Sequence, residues 1–170
     1  MPAHGHELPV LVIGVGPTGL AAALELARQG RSMRIVDKDP TRSRHSKAIG
    51  VNARTLELME PSGVTERLLA SGLRLRRFHF RSGDRLLATV DLGQVRHRYN
   101  FMLALLQAET ERILEQRLAE HGTTVEWSTE FTGLEAASDR VRATLVADAA
   151  GQDRAAMTQT TLQRARIRLV

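Results

Sequence analysis

The chain has 170 residues, of which 42% are hydrophobic and 25% charged, with a formal charge of +5; this is the balance of an ordinary globular protein long enough to bury a core. It has no cysteine, which excludes disulfides, thiolate chemistry and cysteine metal sites, and its six histidines fall at no metal-ligand spacing. The surplus arginines are scattered with few aromatics between them, so no nucleic-acid partner is expected. No run nears the roughly 18 apolar residues that span a bilayer, and Met1 to Val10 lacks a signal-peptide design, so no membrane and a cytoplasmic location are expected.

In chain order, Val10-Leu11-Val12-Ile13 reads as a buried strand. Gly14-Val15-Gly16-Pro17-Thr18-Gly19 then supplies a tight turn, and a helix opens at Pro17 with Leu20, Ala23, Leu24 and Ala27 on one face. Gly30 ends that helix, Arg34-Ile35-Val36 forms a second strand, and Asp37 closes it. A polar loop over 38–46 and the segment Lys47-Ala48-Ile49-Gly50-Val51 lead to a helix from Asn52 to Glu60 with Ala53, Leu56 and Met59 at helical spacing. Pro61 and Gly63 break it, and a short helix covers Thr65 to Ala70.

From Arg74 to Asp91 the period becomes two, with Phe78 and Phe80 alternating with Arg77, His79 and Arg81, and Ser82-Gly83-Asp84 turning the chain; this is a hairpin. A loop with Tyr99 and Asn100 precedes a long helix from Leu103 to Glu120, whose stripe is Leu106, Thr110, Ile113, Leu114 and Leu118 and whose stop is Gly122. Three strands follow, Thr124 to Phe131, Arg140 to Val146 and Leu162 to Val170, with turns around Ser138-Asp139 and Asp148 to Asp153. The order predicts an α/β, Rossmann-like domain with a β-hairpin excursion and a C-terminal β-meander.

The strand, glycine turn and helix carry the chemistry. Gly14 permits the sharp turn, Gly16 lets the main chain approach a pyrophosphate, and Gly19 lets the helix pack on the sheet. The helix N-terminus offers unpaired N–H groups to phosphate. Asp37 follows the first glycine by about 20 residues, the spacing that sets a carboxylate on an adenosine ribose. Such an acid disfavours a 2′-phosphate, so FAD or NAD is preferred over NADP at this site. A helix cap or a solvated acid is the plainer role for Asp37. No catalytic triad and no paired carboxylates stand out.

The chain resembles the FAD-dependent aromatic hydroxylases, the single-component flavoprotein monooxygenases related to 4-hydroxybenzoate and phenol hydroxylases. The likeness spans nearly the whole sequence and rests on Gly14 to Leu20, Val36-Asp37-Lys38 with Pro40, Lys47 to Glu57, and Gln107 with Thr110-Glu111 and Leu114. It implies that Gly14, Gly16, Pro17, Thr18 and Gly19 hold the FAD pyrophosphate and that Asp37 bonds the ribose with Lys38 beside it. It places Lys47 near the pyrophosphate and flavin, where the family usually has arginine, and Gln107 at the ribityl and phosphate region. Arg54 either bonds near the flavin or sits on an exposed helix face.

The resemblance further implies NADPH as transient electron donor, an aromatic small-molecule substrate, and a cofactor that carries the hard chemistry, so no side chain is named as catalytic. The family continues past a strand like Ala165 to Val170 into a glycine-aspartate-glycine segment. Residues 1–170 are therefore expected to be an incomplete FAD-binding domain, with the hairpin over 74–91 belonging to the start of a substrate-domain sheet. The alternatives are a non-catalytic nucleotide-binding remnant of the same fold and a small NAD-dependent reductase.

Overall fold

The computed structural model describes residues 7–8, 10–42, 49–136, 140–147 and 156–163. Its elements are β1 (Glu7–Leu8), β2 (Val10–Ile13), α1 (Pro17–Arg28), β3 (Met33–Val36), β4 (Gly50–Val51), α2 (Ala53–Met59), α3 (Val64–Ser71), β5 (Leu73–Leu75), β6 (Arg77–Ser82), β7 (Arg85–Asp91), β8 (Met102–Ala104), α4 (Gln107–Glu120), β9 (Thr129–Ala136), β10 (Arg140–Ala147) and β11 (Ala156–Gln163). The chain divides into two compact units, Met1–Ser43 with Leu114–Val170, and Arg44–Ile113.

In the first unit β2 and β3 pair in parallel, from Val10 opposite Met33 to Ile13 opposite Val36. Parallel neighbours need a crossover, and α1 supplies it. Its Leu20, Ala23 and Leu24 are buried, the face read from their spacing. The helix stops where Gly30 adopts a φ of +66°, a left-handed conformation that favours glycine. A third parallel partner for β3 is reduced to one bridge, Val36 to Glu126. Arg34 holds that residue with a two-pronged ion pair, Nε to Oε1 at 2.7 Å and Nη2 to Oε2 at 2.6 Å.

The strand expected from Thr124 to Phe131 is thus two features, the Glu126 bridge and then β9 from Thr129. Ser128, with a φ of +51°, separates them. Strand β9 runs on through Gly133, which pairs with Thr144, and a register shift beyond that pair leaves Thr132 as a bulge. Strands β9, β10 and β11 form the antiparallel meander, and β1 joins β11 in parallel, giving the order β1-β11-β10-β9. Among the described residues the third strand of the meander is β11, which meets the expected Leu162 to Val170 only at Leu162 and Gln163, because a polar run over 156–163 is drawn into the ladder by pairing with β10 from Ala147 back to Arg140. Residues 164–170 and the two expected turns around Ser138-Asp139 and Asp148 to Asp153 lie outside the described residues.

In the second unit, Asn52 caps α2 by accepting the Thr55 N–H at 2.9 Å. Pro61 enters a single 3₁₀ turn over Glu60–Ser62, and Gly63 turns left-handed before α3. Strands β4, β8 and β5 form an antiparallel sheet in that order. The helix expected from Leu103 begins at Gln107 instead, because the run from Phe101 to Leu106 has a period of two. Phe101, Leu103 and Leu105 are buried while Met102 and Leu106 are exposed, which is strand behaviour. Leu106 therefore leaves the buried stripe. Its carbonyl instead accepts the first helical N–H groups, from Glu109 and Thr110.

The hairpin is β6 and β7, joined at Gly83-Asp84 with Gly83 left-handed. It starts at Arg77 rather than Arg74, since Leu73–Leu75 pairs with β8. One face carries the Arg77–Asp91 ion pair at 3.0 Å and the His79 to Thr89 contact at 2.9 Å. The other pairs Phe78 with Val90 and Phe80 with Ala88, and Phe80 is 55% exposed.

Candidate functional site

The site starts at the C-terminal ends of β2 and β3. Gly14 leaves β2 with a φ of +96° while its N–H donates to the Val36 carbonyl at 2.9 Å, so the chain turns sharply without leaving the sheet. A Cβ on Gly19 would lie 2.0 Å from the Gly14 carbonyl oxygen, and this bare position lets α1 sit against the turn. A Cβ on Gly16 would meet nothing within 4 Å. The space in front of that residue is open.

Gly16 is the N-cap of α1 and brings no side chain to its first turn, which contains no acidic residue. Pro17 has no N–H, while Thr18 and Gly19 have N–H groups that helix geometry leaves without an intrahelical acceptor. The first turn thus brings no negative charge of its own to the positive end of the helix dipole, which suits an anion.

Asp37 is half-buried and fixed by two main-chain donors, the Val15 N–H to Oδ2 at 2.7 Å and the Asp39 N–H to Oδ1 at 2.9 Å. A carboxylate has about four acceptor positions, so each oxygen retains capacity for one more donor. Asp37 borders a cavity of about 440 Å³ with Ile13, Gly14, Lys38, Asp39, Thr129, Glu130 and Phe131. Its carboxylates suit hydroxyl groups, and Ile13 and Phe131 offer apolar surface.

The structure thus gathers Gly14, Gly16, Pro17, Thr18, Gly19, Asp37 and Lys38 at one end of the first unit. Gln107 opens α4 in the second unit, where its Nε2 donates to Glu111 Oε1 at 2.8 Å. Lys47 lies outside the described residues. Arg54 is exposed and pairs with Glu57 at 3.2 Å. Thr129, Glu130 and Phe131 were missed by sequence reasoning. The Thr129 N–H bonds to the Asp37 carbonyl at 2.8 Å, a long-range pairing that leaves no local signature. Among the described residues no group of three or more His, Asp or Glu could hold a metal, and no helix is long and apolar enough to cross a membrane.

A parallel βαβ unit with an open glycine turn and an acid at the end of its second strand is a dinucleotide-binding fold. Residues 7–159 match the model of the FAD binding domain family, and the chain belongs to that family. It is 36% identical over 147 residues to pentachlorophenol 4-monooxygenase of Sphingobium chlorophenolicum, covering 85% of this chain and 27% of that protein. It is 35% identical over 150 residues to 6-methylpretetramide 4-monooxygenase of Streptomyces rimosus, covering 87% and 27%. The solved structure of OxyS anhydrotetracycline hydroxylase from Streptomyces rimosus superposes with a TM-score of 0.76 at 28% identity, covering 93% of this chain and 30% of that one. The chain therefore spans just over a quarter of the curated relatives it matches, and it is an FAD-binding domain of the aromatic-monooxygenase kind.

Proposed function

We propose that this chain binds the adenosine diphosphate half of FAD at the β2–α1 turn and serves an NAD(P)H-dependent monooxygenase that hydroxylates an aromatic compound. The observation that carries the reading is Asp37. Two backbone donors orient its carboxylate beside a cavity while acceptor capacity remains on both oxygens. A ribose diol offers two donors at that spacing. Ile13 and Phe131 would flank the base, and the Thr18 and Gly19 N–H groups would meet the diphosphate across the bare Gly16. Lys38, on the cavity rim, adds positive charge near the phosphates.

Lys47 and Gln107 are assigned to the flavin side by the family resemblance. The bound flavin supplies the redox and oxygen-transfer chemistry, and the chain's residues bind and orient it. The hairpin of β6 and β7 is the start of a substrate-domain sheet, a role supported by its one apolar, exposed face opposite a paired polar one. The aromatic substrate follows the pentachlorophenol and 6-methylpretetramide monooxygenase relatives, and the nicotinamide donor is assigned by the family resemblance alone.

Titration of the purified chain with FAD, followed by quenching of flavin fluorescence, tests the reading. Saturable binding is expected, with competition by ADP and little competition by riboflavin. Absence of binding, or competition by riboflavin alone, overturns it.

A further inference from the structure

The wall of the Asp37 cavity made by Thr129, Glu130 and Phe131 is the start of β9, and it lies in the first compact unit together with β3. The pairing that leads into it is only one bridge long, Glu126 to Val36. Two residues on, Ser128 takes a φ of +51°, which a residue bearing a Cβ rarely adopts. Main-chain bonds carry the chain round this kink: the Asp37 N–H to the Glu126 carbonyl at 3.0 Å, the Ser128 N–H to the Asp39 carbonyl at 2.9 Å, and the Thr129 N–H to the Asp37 carbonyl at 2.8 Å.

A disfavoured dihedral persists where its surroundings over-determine it. Here a side chain adds the further constraint. Arg34 stands in β3, three residues before Asp37, and grips Glu126 with both prongs at 2.7 and 2.6 Å, so that guanidinium and carboxylate fix each other's orientation as well as distance. The two side chains are 20% and 39% exposed, so water screens the pair incompletely. The Asp37 carboxylate is held separately, by the Val15 and Asp39 N–H groups.

We infer that Arg34 and Glu126 are positioning residues for the base of the bound nucleotide: their ion pair holds the kink at Ser128, and with it the Phe131 wall, in register with Asp37. Neither residue borders the cavity. The inference rests on the reading that this cavity takes the adenosine diphosphate half of FAD with its base against Phe131. It divides the affinity in two, with diphosphate and ribose held by the βαβ unit and the base held by the wall.

Calorimetric titration of the 170-residue chain with ADP and with ribose 5-diphosphate, which is ADP without its base, reads the two parts separately. A base stacked on an aromatic wall should make the parent prefer ADP by about 5- to 100-fold. Arg34→Met and Glu126→Gln each remove the charge pair with little change of side-chain length. Each should lower ADP affinity about fivefold or more while ribose 5-diphosphate stays within about twofold, and the double variant should match either single one within about twofold. Acrylamide quenching of Trp127, the chain's single tryptophan and the residue between Glu126 and Ser128, should rise in all three variants.

An equal loss for both ligands marks a general weakening of the unit and overturns the proposal, as does a preference for ADP that survives in the folded variants. Where thermal melts show that these variants do not fold, Ser128→Val decides in the same way, because a β-branched side chain opposes a positive φ; Ser128→Gly, which accepts that φ, should keep the parent's preference. A parent that binds both ligands equally overturns the proposal alone. A parent that binds neither ADP nor FAD overturns the reading beneath it as well.

Discussion

Gly16 and Gly19 lie in the same turn, and adding one methyl group should fail at each for an opposite reason. The backbone of Gly16, at φ −74° and ψ 177°, is extended and open to alanine without strain. Its new Cβ would meet nothing within 4 Å, so Gly16→Ala should cost the free protein less than about 1 kcal/mol through the poorer N-cap. The same methyl group would stand where a diphosphate must approach the helix N-terminus. Losing two charge-assisted hydrogen bonds of about 1.5–3 kcal/mol each should weaken FAD at least about 100-fold.

Gly19→Ala inverts this. Its Cβ would lie 2.0 Å from the Gly14 carbonyl oxygen, and both atoms belong to main chain, so α1 and the turn must part by about 1.5 Å to reach an ordinary contact. Overpacking of that kind costs about 1–3 kcal/mol, a fall in Tm of about 2–12 °C, and the rigid backbone favours the upper end. Thermal and urea melts of the free protein, paired with FAD titration, separate the two effects. A folded Gly16→Ala that binds FAD within about twofold of the parent refutes the cradle, and an unchanged Tm in Gly19→Ala refutes the packing argument.

Asp37→Ala removes the acceptor for the Val15 and Asp39 N–H groups, so it should lower stability by about 1–3 kcal/mol as well as weaken FAD. Asp37→Asn, which keeps one acceptor, should fall between in both urea melts and titration. Tyr99 donates its hydroxyl to Glu60 Oε1 at 2.6 Å, and burial first, then that bond, raises its pKa above 10.0. Its contribution is present below pH 10.0 and lost as pH rises through the folded value; Tyr99→Phe should cost about 1–2 kcal/mol near neutrality and remove that part of the alkaline fall in stability. Glu57 is held below its ordinary 4.5, first by the hydrogen bond from His97 and then by Arg54. The His97 Nδ1 accepts the Tyr99 N–H, so Nε2 carries the proton toward Glu57. The Glu57 contribution is complete above pH 4.5 and lost as pH falls through its folded value, and acid melts of His97→Ala should show a shallower fall there.

What the sequence makes legible here is what a few consecutive backbone dihedrals encode. The left-handed glycines at 14, 30, 63, 83 and 122 mark turns and element ends, and the Asn52 cap opens α2. Each acts within a few residues of itself. The run from Phe101 to Leu106 misleads because a short apolar stretch fits a strand or a buried helix, and only its pairing with Gly50–Val51 and Leu73–Leu75 decides the matter. The expected strand from Thr124 fails at Ser128, whose positive φ has no signal in its residue type.

The same division runs through the candidate site. Its glycine turn and Asp37 fall within one βαβ unit, so spacing alone brings them together. Thr129, Glu130 and Phe131 reach the cavity only because Arg34 grips Glu126 and the Asp37 main chain pairs with residues 126 and 129 on either side of Ser128. That wall is set by contacts across the whole unit. A reading from local pattern therefore finds the end of the hollow that suits a phosphate and misses the end that would hold a base.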